Sequence, residues 1–281
     1  MPTVAEVLAE AAARLESVTE TPRLDAEILL AHAMKVSRAQ LLASLRDEAA
    51  QGEFGEFLKR RLDSEPIAYI LGEWEFYSLA FETKPPVLVP RPETEHLVEV
   101  VLETIGDRAA RVLDVGTGSG CVAIAIACNA PNCRVVASDI RDEFLELARR
   151  NAERHNVADR IAFRKGDLFE ALAPEDTPFD LICSNPPYVA EPAWEGLSPT
   201  ITRYEDPKAL LAGPDGLEVI RRLVAGAQEH LLPGGMLALE MGIGQFDTVR
   251  DLLQESGYKN VCARRDLAGI DRIAVGNVPG A

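Results

Sequence analysis

The chain has 281 residues, 47% of them hydrophobic, which allows one large globular domain or one domain with a smaller companion. Its formal charge of −16 favours solubility and argues against a strong nonspecific grip on nucleic acid. Five cysteines without a CxxC pair and four histidines at no metal-ligand spacing point to reduced thiols in a cytoplasmic protein with no metal site; no apolar run spans a bilayer and no secretory leader is visible.

In chain order, residues 1–66 read as a small helical domain. Val4, Val7, Leu8, Ala11, Ala12 and Leu15 share one helical face. Pro22 opens a second helix expected to place Leu24, Ile28, Leu29 and Ala33 inside. Ser37 is a candidate cap for a third, and Phe54, Phe57, Leu58, Arg61 and Leu62 repeat the helical spacing. Arg60 and Arg61 suit a solvated helix face or an acidic partner. Residues 67–86 change character. Aromatics on both sides of Gly72 predict a hairpin turning there, and Lys84-Pro85-Pro86 reads as a linker.

From residue 87 to 281, strand and helix alternate. Pro92 starts a helix whose first turn carries acids. Strands are expected at 111–115, 134–138, 161–165, 179–184 and 236–241, followed by an antiparallel pair at 261–265 and 272–276. Helices intervene after the first, second and fifth strands and before the fifth. This α/β pattern implies a mostly parallel sheet with helices on both faces and sites at the carboxyl ends of its strands.

Three of those ends carry candidate cofactor residues. Gly116, Thr117, Gly118, Ser119 and Gly120 form a glycine turn tighter than GxGxxG, suited to a ligand without a pyrophosphate. Asp139 closes the second strand, where an acid accepts hydrogen bonds from ribose hydroxyls. Asp167 and Leu168 close the third, suited to an adenine amino group and ring. Each feature alone also fits a plain cap or connection. The set of three fits S-adenosyl-L-methionine.

Asn185, Pro186, Pro187 and Tyr188 follow the fourth strand, which brings them beside the glycine turn. An amide nitrogen is a poor nucleophile because its lone pair is delocalised. A site for it must hold its N–H bonds and turn the lone pair to the methyl donor. The Asn185 side-chain oxygen and the Pro186 carbonyl are candidate acceptors, the two prolines stiffen the loop, and Tyr188 is a candidate stacking surface.

These motifs, with Pro22 to Leu30, Pro66 to Gly72, Val89 to Glu95 and Leu267 to Arg272, resemble the HemK/PrmC family of protein-(glutamine-N5) methyltransferases. The resemblance covers nearly the whole chain. It implies a Rossmann-like seven-stranded class I methyltransferase domain behind a helical substrate-recognition domain. It implies methylation of the glutamine in the Gly-Gly-Gln loop of class 1 peptide chain release factors, with residues 116–120, Asp139, Leu168 and Asn185 lining the cofactor and 185–188 holding the glutamine. Tyr204-Glu205-Asp206-Pro207 departs from the family pattern, which sets the proline directly after the glutamate. The alternative is an adenine or cytosine N-methyltransferase, which shares the tetrapeptide. The acidic charge and the lack of a basic stripe weigh against it and against direct nucleic-acid binding.

Overall fold

The computed structural model describes residues 1–176 and 178–280, which divide into two compact units. The first unit comprises Met1–Glu73 together with Ser198–Glu205. Its helices of five or more residues are α1 (Val4–Leu15), α2 (Pro22–Met34), α3 (Arg38–Ala43), α4 (Phe54–Leu62) and α5 (Ile67–Leu71), and Pro199–Thr202 adds a single helical turn. Thr3 and Ser37 close capping boxes with Glu6 and Gln40, satisfying the free N–H groups that open α1 and α3. Val4, Leu8, Leu15, Leu29, Leu30 and Leu41 are fully buried in one apolar cluster.

The inward face of α2 differs from expectation. Leu24 is exposed, while Asp25 and Glu27 are buried. Both carboxylates are buried because each has a guanidinium. Arg61 Nε donates to Asp25 at 2.7 Å, and Glu27 accepts from Arg23 and Arg38 at 2.7 and 2.8 Å. Burial raises the Glu27 carboxyl, but the two arginines more than offset this and hold it below its ordinary value. Arg61 is therefore no solvated residue. It also donates to the Glu65 carbonyl and to Thr200 Oγ1, at 3.3 and 3.4 Å. Arg60 is tied to Glu65 and to the carbonyls of Tyr69 and Ile70.

The second unit comprises Trp74–Leu197 and Asp206–Ala281, of which the final residue lies outside the description. The hairpin expected to turn at Gly72 turns five residues later. Ile67–Leu71 is helical, and Gly72, at φ 77°, ends that helix. Strands β1 (Glu73–Phe76) and β2 (Leu79–Glu82) are joined by Tyr77 and Ser78, both in the left-handed region. A type I′ connection requires positive φ at both central residues, and the chain makes it without glycine.

The remaining elements are α6 (Glu95–Ile105), β3 (Arg111–Val115), α7 (Cys121–Asn129), β4 (Arg134–Asp139), α8 (Asp142–Arg154), β5 (Ile161–Lys165), β6 (Phe179–Ser184), α9 (Glu218–Ala227), β7 (Leu231–Glu240), α10 (Phe246–Glu255), β8 (Lys259–Arg265) and β9 (Asp271–Asn277). The seven-stranded sheet has the order β5-β4-β3-β6-β7-β9-β8. It is parallel except that β9 runs antiparallel to both neighbours. Successive side chains alternate between two cores. Val112 and Leu181 join α6 and α7 on one side, while Leu113 and Ile182 join α9 and α10 on the other. Strands buried on both faces explain the near-continuous apolar runs.

Candidate active site

Register aligns the strand ends. Val115 of β3 pairs with Ser138 of β4 and with Ser184 of β6, and Ser184 pairs with Leu239 of β7. Gly116, Asp139, Asn185 and Glu240 each follow one of these residues, so four strands deliver them along one edge. A cavity of about 240 Å³ opens there.

The glycine turn forms one wall. Gly116 and Thr117 donate their N–H groups to the Ser138 carbonyl at 2.8 and 2.9 Å. Gly118 N–H donates to Asp139 Oδ2 at 2.9 Å, and the Thr117 hydroxyl donates to Asp114 Oδ2 at 2.6 Å. Burial pushes the Asp114 carboxyl up to about 6 against the pull of that hydroxyl. Asn151, fully buried on α8, donates to the Ser119 carbonyl at 2.9 Å and clasps Glu82 of the hairpin through both ends of its amide. Gly116 and Gly118 have positive φ, and a Cβ at Gly116 would meet nothing within 4 Å. Backbone there is open to a ligand. Gly120 has a different role. It does not line the cavity; a Cβ there would lie 2.9 Å from Ile124 Cδ1 and 3.0 Å from Ala148 Cβ, so its task is to let α7 and α8 pack.

Asp139 is buried at the rim of the cavity. Burial raises its carboxyl; N–H groups of Arg141 and Gly118 act in the opposite sense. Each oxygen accepts one backbone N–H and keeps a lone pair for a ligand hydroxyl. Ser138 Oγ, also on the wall, is buried without a hydrogen-bond partner. Asp167 and Leu168 line the far side, where one Asp167 oxygen takes Arg222 at 2.6 Å. Arg141 bonds Asp206 and covers the Phe144 ring at 5.0 Å. Asp206 also caps the turn at Pro207–Ala209 through Lys208 N–H, which gives the departure at 204–207 a structural role.

Asn185 and Pro187 line the same cavity, whereas Pro186 is buried. Asn185 Nδ2 donates to Thr94 Oγ1 at 3.0 Å, and Thr94 also lines the cavity. Tyr188 departs from expectation. It is not a wall of the cavity; its ring packs against the α9 and α10 core, and its hydroxyl donates to Glu240 Oε1 at 3.2 Å. Burial, then the Glu240 charge, raise its phenol. Burial pushes the Glu240 carboxyl up to about 7, against the pull of the neighbouring Thr94 and Tyr188 hydroxyls.

Residues 6–72 match the PrmC N-terminal domain family, and residues 92–197 match the methyltransferase small domain family. The release factor glutamine methyltransferase of Rhodopirellula baltica is 42% identical, covering 91% of this chain and 89% of that protein. The protein of the same name from Xylella fastidiosa strain Temecula1 is 42% identical over the full length of both. The chain belongs to the release factor glutamine methyltransferase family. The crystal structure of a methyltransferase from Pyrococcus furiosus has a TM-score of 0.55 at 24% identity, covering 80% of this chain and 99% of that one. At that identity it supports the fold alone.

Thr94, Asn151, Asp206 and Glu240 carry no chemical motif of their own in the sequence. Only Thr94 and Asp206 lie in segments with a sequence signature, Val89–Glu95 and Tyr204–Pro207. Among the described residues no cluster of His, Cys, Asp and Glu could hold a metal ion, and no helix is long and apolar enough to cross a membrane.

Proposed function

We infer that this chain transfers a methyl group from S-adenosyl-L-methionine to the side-chain amide nitrogen of the glutamine in the Gly-Gly-Gln motif of class 1 peptide chain release factors. The observation that carries the reading is Asn185 on the wall of the cavity that Gly116, Gly118 and Asp139 also line, with its amide nitrogen engaged by Thr94. That bond leaves Oδ1 to accept from a substrate N–H.

The residues suit the cofactor. Asp139 would take ribose hydroxyls, Gly116 and Gly118 would let its chain lie against backbone, and Leu168 would pack the adenine. When bound, S-adenosyl-L-methionine supplies an electrophilic methyl group on sulfonium. Asn185 Oδ1, with the Pro186 carbonyl as second acceptor, would orient the glutamine amide so that its lone pair faces that carbon. As the nitrogen–carbon bond forms and the sulfur–carbon bond breaks, the nitrogen becomes acidic and releases one proton. Alignment and polarisation therefore carry the catalysis, with no strongly tuned base at the nitrogen. In the same reading the helical unit helps to engage the release factor, and the protein works in the cytoplasm without binding nucleic acid directly.

The test is transfer from labelled cofactor to a purified class 1 release factor, mapped by peptide mass spectrometry, with duplex DNA assayed in parallel. Label on the Gly-Gly-Gln glutamine is the expected result. Label in DNA alone would replace this reading with the nucleic-acid enzyme.

A further inference from the structure

We propose that Ile243 and Leu267 seat the body of the protein substrate beside the cavity, against an apolar surface that flanks its Gly-Gly-Gln loop. The inference rests on the methyl-transfer reading above.

Among the described residues of the second unit, the large apolar side chains that stand in solvent are Ile140, Leu232, Ile243 and Leu267. Ile140 lines the cavity, and Leu232 lies at the start of β7, on the opposite edge of the sheet. Ile243 and Leu267 are left without a task, at 67% and 99% exposure. Both belong to the edge that carries the cavity. Ile243 follows the carboxyl end of β7. β9 runs antiparallel to β7 with Ile273 opposite Glu240, so the turn between β8 and β9 projects from that same edge. Only β7 separates β9 from β6, the strand that delivers Asn185. Two strand spacings put the turn about 10 Å to the side of the tetrapeptide.

Both side chains are held out on braced backbone. One Asp266 oxygen accepts the N–H groups of Ala268 and Ile270 at 2.9 Å, the other accepts Arg272 Nε at 3.0 Å, and the Asp266 N–H donates to the Ile270 carbonyl. Arg265 pairs with Asp271 and Arg272 with Asp266, so the charges at the turn neutralise one another and its tip is apolar. Gln245 ties the other loop. Its Oε1 accepts the Gly242 N–H at 2.8 Å, and its Nε2 donates to the Tyr188 carbonyl at 3.1 Å. The loop that bears Ile243 is thus fastened to the tetrapeptide itself. A glutamine carries its nitrogen only about 5 Å from its own backbone. With that nitrogen at Asn185, the chain that bears it lies at the mouth of the cavity, and a domain about 30 Å across overlies points 10 Å to the side. Apolar side chains already fixed there are covered at little cost in ordering, and their burial is favourable.

The test measures, for Leu267→Asp, Ile243→Asp and Leu267→Met, the Kd of the complex with a purified class 1 release factor by calorimetry, and kcat and KM for methyl transfer to it. Each aspartate variant is expected to weaken the complex about 10- to 100-fold, the scale for losing one buried aliphatic side chain, and to raise KM in step. Saturating kcat, cofactor Kd and the thermal midpoint should stay at wild-type values, because both side chains are exposed in the free protein. Leu267→Met keeps an apolar side chain of similar volume and should bind as the wild type does. An unchanged release-factor Kd in either aspartate variant would overturn the inference. A weakening matched by losses in cofactor Kd and thermal midpoint, the mark of a distorted fold, would overturn it as well. Sedimentation tests the competing occupant: a wild-type dimer that Leu267→Asp dissociates would give the tip to a second copy of this chain and overturn the assignment to the substrate. A wild-type protein that methylates no release factor defeats the functional reading and this inference together; an active wild type with an indifferent Leu267 defeats only the inference.

Discussion

Asn185 does its proposed work with one oxygen atom, so truncation is informative. Asn185→Ala should reduce turnover at least about 100-fold, the scale for losing one preorganised polar contact to a transition state. Cofactor affinity should change far less, and calorimetry beside a transfer assay separates the two. Asp139→Asn should show the opposite split. It weakens charge-assisted bonds to ribose hydroxyls, and cofactor Kd should rise about 10- to 100-fold. Glu240 also leaves a mark on stability. Its folded-state carboxyl is raised to about 7, so its stabilising contribution is complete below the ordinary carboxylate range and is lost as pH rises through 7. The thermal midpoint of Glu240→Gln should therefore gain on that of the wild type between pH 5 and 8. The full effect is on the order of 3 kcal/mol. Parallel midpoints across that range would refute the assignment.

At the level of elements, the glycine turn was legible because its information is local. Gly116 and Gly118 sit next to the strand and helix they connect, and Asp139 and Asn185 directly follow recognisable strands. The partners that hold them were not legible. Thr94 meets Asn185, Asn151 meets Ser119, and Tyr188 meets Glu240 only after the sheet has assembled. Nothing in the run around Glu240 distinguishes it from an exposed acid at a strand end. The hairpin was misplaced for a related reason. Gly72 is the residue type that a turn wants, but it was spent on ending α5, and Tyr77 and Ser78 took the left-handed positions instead. Gly120 sets how closely α7 and α8 approach. Gly120→Ala adds a methyl group at φ 83°, against Ile124 and Ala148. Backbone strain alone costs about 1–3 kcal/mol and overpacking a similar amount. Denaturant unfolding should register the loss at any cofactor concentration.

For the molecule as a whole, the alternation of strand and helix was enough to anticipate the seven-stranded sheet and its antiparallel final pair. It could not reveal that the helical unit is built from two stretches of chain. The buried Arg61–Asp25 pair is the centre of that unit's polar structure. Arg61→Ala takes the guanidinium away from the buried Asp25, and removing one partner of a buried pair costs about 3–5 kcal/mol. Circular dichroism should show the helical unit melting earlier in this variant, and an unchanged melt would refute the role.

The strip Ser198–Glu205 has a consequence for how this architecture can be divided. The PrmC N-terminal domain match stops at residue 72, but the Arg61 and Asp63 main-chain and side-chain contacts with Thr200 and Tyr204 come from a segment encoded far downstream. A gene fragment ending near residue 73 encodes an incomplete unit. Recombination that exchanged the N-terminal portion between relatives would leave a graft without its matching strip. The two pieces must be inherited together, so lineages can trade this unit only by trading part of the segment that follows the tetrapeptide.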